Sequence, residues 1–428
     1  MINVKDFLPV GDFSICQINP LDNYDKTIEY PFIPMDSVKN NYGGISYFEK
    51  RKINGSGLVS FKKHDTIVAK ITPCSENGKV AFIDDLPEDN ALGFGSTEFI
   101  VFRPNKDNVV PKYLYLLLSS HKIHGLAISL MEGTTGRQRI PQKAYKKRIL
   151  GYFPPVSKQK AIAGVLSKVD EAIKAAEKSI EAAERLKTSM IQNLLPGLLK
   201  PDNTWRNENE FYLDDRFGKV PKGWVAKPLK ELAAIQRGKF SHRPRNEPRF
   251  YGGEHPFIQT SDVVNSVFYL KKHTQSLSDL GVAVSRRFEK GTIIITIAAN
   301  IGDVALTQYD VFFPDSLIGI NPNQELITSK FLLMSLMAKK QYLDQVSTES
   351  AQKNINYSNL RPLLICYPKS IDEQIEISER IESIFVIIEN KKQKIKILHK
   401  LKASLMQNLL TGKIRVNVDK TNKLLEEV

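Results

Sequence analysis

Two stretches of the chain place an apolar or long aliphatic side chain at every seventh position. In the first, Leu166, Ile173, Ile180, Lys187 and Leu194 share one phase, and Val169, Ala176, Ala183 and Met190 fall three residues later. In the second, Ile381, Ile388, Ile395, Lys402 and Leu409 repeat the first phase, and Ile384, Lys391, Leu398 and Leu405 the second. Alternating steps of three and four are those of a coiled-coil seam, so the pattern predicts a long helix over 157–195 and a matching one in the second half. Ser157 and Asp372 are the expected N-caps; Gly197 and Gly412 are the expected stops. About 38 residues rising 1.5 Å each make a rod of roughly 55 Å, the length of about 16 base pairs. Apolar residues off the seam, Ile162, Ile377, Ile387 and Leu401, are expected to bind a further helix on a partner.

The two stretches are near-copies. Leu186-Lys-Thr-Ser-Met-Ile-Gln-Asn-Leu-Leu-Pro-Gly197 and Leu401-Lys-Ala-Ser-Leu-Met-Gln-Asn-Leu-Leu-Thr-Gly412 agree at eight of twelve positions, offset by 215. The register holds back to Gln159 and Gln374. The preceding segments repeat more faintly. Asp65-Thr-Ile-Val-Ala-Lys-Ile-Thr echoes Gly291-Thr-Ile-Ile-Ile-Thr-Ile-Ala, and Pro31-Phe-Ile echoes Pro256-Phe-Ile. A tandem duplication follows, with conserved helices and diverged globular modules. Each module reads as mixed α and β. Strands are expected at Leu58–Phe61, Thr66–Ile71, Phe99–Phe102, Thr292–Ile297 and Leu317–Ile320, and helices at Pro111–Ser120 and Ser329–Gln345. The expected organisation is an α+β chain: a module over 1–153, a helix region over 154–200, a polar linker over 201–222, a second module over 223–368, a second helix region over 369–412 and a tail over 413–428.

Composition narrows the function. The 428 residues are 42% hydrophobic, enough for real cores, and carry a formal charge of +14. Such an excess suits a polyanion, nucleic acid before membrane. The helices count eight Lys and Arg against five Asp and Glu over 157–200, and seven against six over 372–405. They hold little of the excess, so it lies on the modules. Three scattered cysteines, Cys16, Cys74 and Cys366, propose no metal site or disulfide framework. No signal peptide or membrane span is legible, and a reducing cytoplasm fits.

The candidate nucleic-acid contacts are basic and amide residues in expected loops. The densest run is Arg237, Lys239, Ser241, Arg243, Arg245 and Asn246, followed by Arg249 and Tyr251. Lys50, Arg51 and Lys52, then Arg137, Gln138 and Arg139, then Gln352, Lys353 and Asn354, complete the set. Arg and Lys match guanine edges, Asn and Gln adenine edges, and many such residues touch phosphate alone.

Catalytic constellations are missing. The nearest string to the adenine methyltransferase loop (Asp/Asn)-Pro-Pro-(Tyr/Phe) is Phe153-Pro-Pro-Val156, which lacks the acid or amide. No phosphate loop exists, no Glu-x-Lys follows Pro314-Asp315, and His121 and His124 have no companions for a metal. The rival readings are a DNA-modifying enzyme with unrecognised motifs and a coiled-coil interaction protein without a DNA role.

The residues Pro221-Lys-Gly-Trp224, Gly252-Gly-Glu-His-Pro-Phe-Ile258, Gly291-Thr-Ile-Ile294, Ser350-Ala-Gln-Lys-Asn-Ile355, Gln374 at the second helix entry and the doubled Leu-Lys-x-Ser-x-x-Gln-x-Leu-Leu-x-Gly close resemble the DNA specificity subunits of type I restriction-modification systems. The first module departs from the pattern: it lacks the Pro-x-Gly-Trp entry and carries Gly133-Thr-Thr-Gly-Arg-Gln-Arg-Ile140 at its loop. The resemblance implies two target-recognition domains, each reading half of a bipartite double-stranded site. It implies antiparallel helices that put the readers at opposite ends and set the half-site spacing, in a bacterial or archaeal cytoplasm. It also implies two methyltransferase subunits and two restriction-translocase subunits as partners. S-adenosylmethionine, ATP and magnesium would sit on those partners, with no cofactor, metal or catalytic residue on this chain.

Overall fold

A computed structural model of the chain describes residues 4–54, 57–87, 91–134, 136–242, 246–298, 300–348 and 354–426. They form two compact units, one of 1–177 with 393–428 and one of 178–392. The two long helices, Val156–Leu194 and Ile371–Leu409, are 39 residues each.

The first unit holds two four-stranded sheets. One runs Cys16–Ile18, Phe99–Pro104, Thr66–Ala69, Val80–Phe82 in spatial order; the other runs Glu49–Lys52, Glu29–Ile33, Gly93–Gly95, Val59–Phe61. The second unit repeats both. One sheet orders Ala233–Arg237, Leu317–Pro322, Ile293–Thr296, Val304–Thr307 and adds Tyr269–Leu270 at its edge. The other orders Gln275–Leu277, Tyr251–Phe257, Val311–Phe312, Arg287–Phe288. In the second-named sheet of each unit a parallel pair recurs at the same place, Phe32 beside Phe94 and Phe257 beside Phe312. The central strands read as continuous apolar runs because both faces are covered: Ile293, Ile294 and Ile295 are fully buried, as are Ile67 and Val68. A further antiparallel pair, Phe7–Pro9 with Leu150–Tyr152 and Trp224–Pro228 with Leu364–Pro368, closes each module next to its long helix.

Each helix entry is fastened by the same buried amide. Gln159 is 1% exposed; its Nε2 donates to Asn108 O (3.0 Å) and Pro154 O (2.8 Å), and its Oε1 accepts from the Val110 N–H (3.0 Å). Gln374 is fully buried and repeats the set, donating to Leu326 O (2.9 Å) and Pro368 O (2.8 Å) and accepting from Thr328 N–H (2.8 Å). Val110 and Thr328 are the N-cap residues of the module helices Pro111–Leu118 and Ser329–Ala338. One glutamine therefore joins the start of the long helix to the start of the module helix in each repeat.

Within each unit the seam packs one helix against the other with opposite chain sense. In the first unit Asp170 pairs with Lys402 (2.6 Å), and Leu166 joins a core with Leu405 and Leu409. In the second, Lys391 Nζ donates to Ser179 Oγ (2.6 Å), and Ala183 clusters with Ile384 and Ile388, with Met190 and Phe385 packed against them. Leu166, Ile173, Leu194, Ile381, Ile384, Ile388 and Leu409 are buried; Val169, Ile180, Met190, Ile395, Leu398 and Leu405 are half-buried.

Four local expectations are corrected. Ile162 and Ile377 do not await a partner: each is buried in its module's core, while Ile387 and Leu401 are exposed. Asp372 lies inside the second long helix, and Ser370 precedes it with its Oγ accepting from Glu373 N–H (3.3 Å). Ser157 likewise lies inside, because the first-turn amides of Lys158 and Gln159 bond back to Pro155 O (2.9 and 3.1 Å). The helix expected over Ser329–Gln345 is two, Ser329–Ala338 and Lys340–Thr348, broken at Lys339 where ψ reaches 0°.

The helix stops are built alike. Gly197 and Gly412 both adopt φ +72°, the left-handed conformation that costs an L-residue about 1–2 kcal/mol. A Cβ on Gly197 would also lie 2.6 Å from Pro221 Cγ, and one on Gly412 3.0 Å from the Tyr152 ring. Gly197→Ala and Gly412→Ala each lower stability by about 2 kcal/mol in denaturant unfolding; equal midpoints for variant and wild type would refute the packing argument. The tail carries a helix, Val418–Glu426, whose Leu425 lies over Gly164.

Candidate nucleic-acid interface

In the second module the strand Ala233–Arg237 delivers its last residue to the surface. Gly238 turns tightly beneath: a Cβ there would lie 2.2 Å from Pro314 O and 2.5 Å from Phe313 O, so glycine alone fits. Beyond it the chain is held extended. Lys239 N–H donates to Phe313 O (3.0 Å), Ser241 N–H to Val284 O (3.0 Å), and Ser285 Oγ to Lys239 O (2.8 Å). Alternation then sorts the side chains. Phe240 is buried among Phe250, Phe257 and Tyr251, whereas Arg237, Lys239 and Ser241 are exposed. Arg237 is aimed by its own Nε on Asp315 O (2.5 Å) and by the Tyr357 hydroxyl, which accepts from its backbone N–H.

Other sequence candidates gather there. Asn354 bridges Ala298 at the end of the sheet, and Ile355 N–H donates to Ile297 O (3.1 Å), close in sequence to Tyr357. Asn246 is exposed. Arg249 is exposed but paired with Glu247 (2.6 Å) and laid over Phe250 (4.9 Å). The Tyr251 ring is stacked on Phe240 and half-buried. Arg243, Arg245, Gln352 and Lys353 lie outside the described residues. Sequence reasoning missed Arg286, exposed with Nη1 on Arg237 O (2.8 Å). The adjacent pair Arg286-Arg287 was its only signal, and nothing local tied it to a loop fifty residues earlier.

In the first module Lys50, Arg51 and Lys52 occupy the edge strand Glu49–Lys52, exposed. Charges on an edge block pairing with another chain. Arg51 is bound to Glu49 (2.6 Å) and sits 4.1 Å over the Phe32 ring. Arg137, Gln138 and Arg139 lie after Gly133, and the Ile71–Arg139 bridge is the counterpart of the Ala298–Asn354 bridge. Arg139 is held by Glu98 through two nitrogens (2.7 and 3.0 Å), and its hydrogen bonds hold the Glu98 carboxyl below its usual range. The edge strand pairs with Glu29–Ile33, whereas Arg139 bridges Ile71, just beyond the strand Thr66–Ala69 of the other sheet.

Strand order shows which connection of the first module takes the place of the loop after Arg237. The connection from Ala233–Arg237 to Tyr251–Phe257 spans 238–250 in the second module, and the equivalent one from Cys16–Ile18 to Glu29–Ile33 spans 19–28 in the first. The two differ in chemistry: the former carries Lys239, His242, Arg243, Arg245 and Arg249, the latter Lys26 with Asp22 and Asp25. Asp22 is gripped by Arg103 (2.9 and 3.0 Å), Lys62 (2.7 Å) and Ser60 (2.8 Å). Burial opposes its charge, but those hydrogen bonds outweigh it and lower the carboxyl to about 2. Asp65, on the same guanidinium at 2.8 Å, is more deeply buried and shifts upward.

Two modules of one topology, displaying unlike polar loops on a shared helical scaffold, define a duplicated reader. The profile described as Type I restriction modification DNA specificity domain matches residues 3–185 and again 221–400, and the chain belongs to this family. It is 25% identical to the type I restriction enzyme HindI specificity subunit of Haemophilus influenzae over 441 residues, covering 89% of this chain and 93% of the relative. It is 29% identical to the MjaVIII specificity subunit of Methanocaldococcus jannaschii over 325 residues, 72% of each. The type I restriction-modification S subunit from M. genitalium shares the fold at TM-score 0.57 and 15% identity, over 96% of this chain and 98% of that one. No helix among the described residues is long and apolar enough to cross a membrane.

Proposed function

We propose that this chain is the DNA specificity subunit of a type I restriction-modification complex, reading a split target with one module per half-site and performing no chemistry itself. The observation that carries this is the duplicated fold with diverged loops: topology and Gln latch are the same, while the equivalent loops 19–28 and 238–250 carry opposite charge balance. In this reading the residues around Arg237, Lys239, Ser241, Arg286 and Asn354 contact one half-site. Those around Lys50–Lys52 and Arg137–Arg139 contact the other. Two methyltransferase subunits, holding S-adenosylmethionine, would flip and methylate the adenines; two restriction-translocase subunits would supply the ATP- and magnesium-dependent work. The coiled-coil length sets the gap between half-sites.

The test is a methylome of cells expressing the chain with its methyltransferase partner, against cells lacking the chain. The expected result is a new N6-methyladenine motif of two short half-sites around a fixed gap. Inserting one heptad, about 10 Å, into both helices should widen the gap and leave both half-sites unaltered. An altered half-site at constant gap, or no new motif from an intact complex, would overturn the reading. Affinity for the target should also fall steeply with salt, as phosphate contacts release counterions.

A further inference from the structure

We infer that Leu21 is a specificity-determining residue, reading the C5-methyl group of a thymine in the half-site of the first module. The inference rests on the function proposed above. Its structural basis is the loop 19–28, which occupies the place that the basic loop 238–250 takes in the second module.

This loop is pinned on both sides of its tip. Asn19 exchanges two hydrogen bonds with Val101, its N–H donating to Val101 O (2.8 Å) and its Oδ1 accepting from Val101 N–H (2.7 Å). The Ser60 hydroxyl lies between Pro20 O (3.0 Å) and Asp22 Oδ2 (2.8 Å) and shares its single proton between them. Asp22 is further held by both terminal nitrogens of Arg103 and by Lys62, and is 8% exposed. Tyr24 packs edge-on against Tyr30 and Phe94, with ring centres 6.2 and 4.9 Å away, and the Tyr30 hydroxyl accepts from Asp25 N–H (2.9 Å). Between Pro20 and Asp22, both held by hydrogen bonds, the Leu21 side chain is fully exposed.

A scattered exposed leucine on a loose loop needs no explanation. A leucine presented on a backbone tied by ion pairs is preorganised: the cost of ordering the backbone is met in the free protein, and binding gains the whole of any new contact. The loop has little to offer a phosphate, since its acids outnumber its single lysine. Asn23, exposed two residues further on, can meet a base edge of its own through its amide, but the side chain of Leu21 offers neither donor nor acceptor. The one apolar feature of the major groove is the thymine methyl, and an aliphatic side chain is its complement.

The assembled complex with its methyltransferase partner is titrated with duplexes carrying the methylome-defined target. Each thymine of both half-sites is replaced in turn by deoxyuridine, which keeps the pairing and removes the methyl. For the wild-type chain one replacement should weaken binding about fourfold, the value of burying one methyl group. Leu21→Ala should weaken binding of the all-thymine duplex by at least as much. It should be indifferent to that same replacement while keeping every other base preference. If no deoxyuridine affects the wild type, or if Leu21→Ala stays sensitive at the same position, the inference is overturned with the function intact. A complex that prefers no split target at all overturns the functional reading itself.

Discussion

Gln374→Ala should cost the second unit about 3 kcal/mol, and Gln159→Ala should cost the first unit a similar amount. Each buried amide makes three hydrogen bonds to backbone, one of them to a buried carbonyl, and truncation takes a partner from one N–H and two carbonyls. A buried polar group left unmade costs about 1–3 kcal/mol; a water entering the vacated space recovers part of that. Gln374→Glu separates geometry from shape. The carboxylate still accepts from Thr328 N–H but faces Leu326 O and Pro368 O with no proton to donate. The native state should therefore favour the protonated acid and raise its pKa above the unfolded value. Stability of Gln374→Glu is then retained below about pH 4 and lost as pH rises through the folded pKa. Denaturant midpoints at pH 4 and pH 7.5 check this. A loss under 1 kcal/mol for both alanine variants would show that the amides are bystanders of the duplication.

Gly238→Ala should abolish discrimination at one half-site while leaving the other, and the fold, in place. The added Cβ meets backbone oxygens of Pro314 and Phe313, which cannot swing aside as a side chain could. The chain must move, and the nearest bonds to break are Gly238 N–H to Leu317 O (2.9 Å) and Lys239 N–H to Phe313 O (3.0 Å). Those bonds aim Arg237, Lys239 and Ser241. A lost base contact is worth about 1–3 kcal/mol, so cognate binding should weaken roughly tenfold to hundredfold. Competition between cognate duplexes and duplexes with one half-site scrambled reads the effect. Selectivity at both half-sites equal to wild type would mean that the loop after Arg237 is not the reader. Lys239→Ala is the milder companion, with a smaller salt slope as its mark if Lys239 binds phosphate.

Much of this protein is written in local pattern. The seven-residue spacing marked the long helices, because a helix face is set by residues three and four apart whatever lies elsewhere. Gly197 and Gly412 marked their ends, because a left-handed stop needs a residue without Cβ. The offset of 215 announced the duplication, and the resemblance rested on motifs in order. Strand positions such as Thr66–Ala69 and Ile293–Thr296 were legible because buried strands are continuous apolar runs.

What needed the tertiary structure was every property that depends on distant partners. Gln159 and Gln374 stood out as repeat markers, yet their role rests on carbonyls some fifty residues away. Ile162 and Ile377 looked like free partner sites because the helix alone does not say which module packs against it. The break at Lys339 follows from the packing of two short helices, where intrinsic propensity was a weak guide. Arg286 joins Arg237 only through strand pairing, and the equivalence of 19–28 with 238–250 emerges only from strand order. Sequence by itself determined the duplication, the helices and the class of protein. The sheets decided which loops correspond and which side chains they present, because strand pairing is a long-range contact that no local window contains.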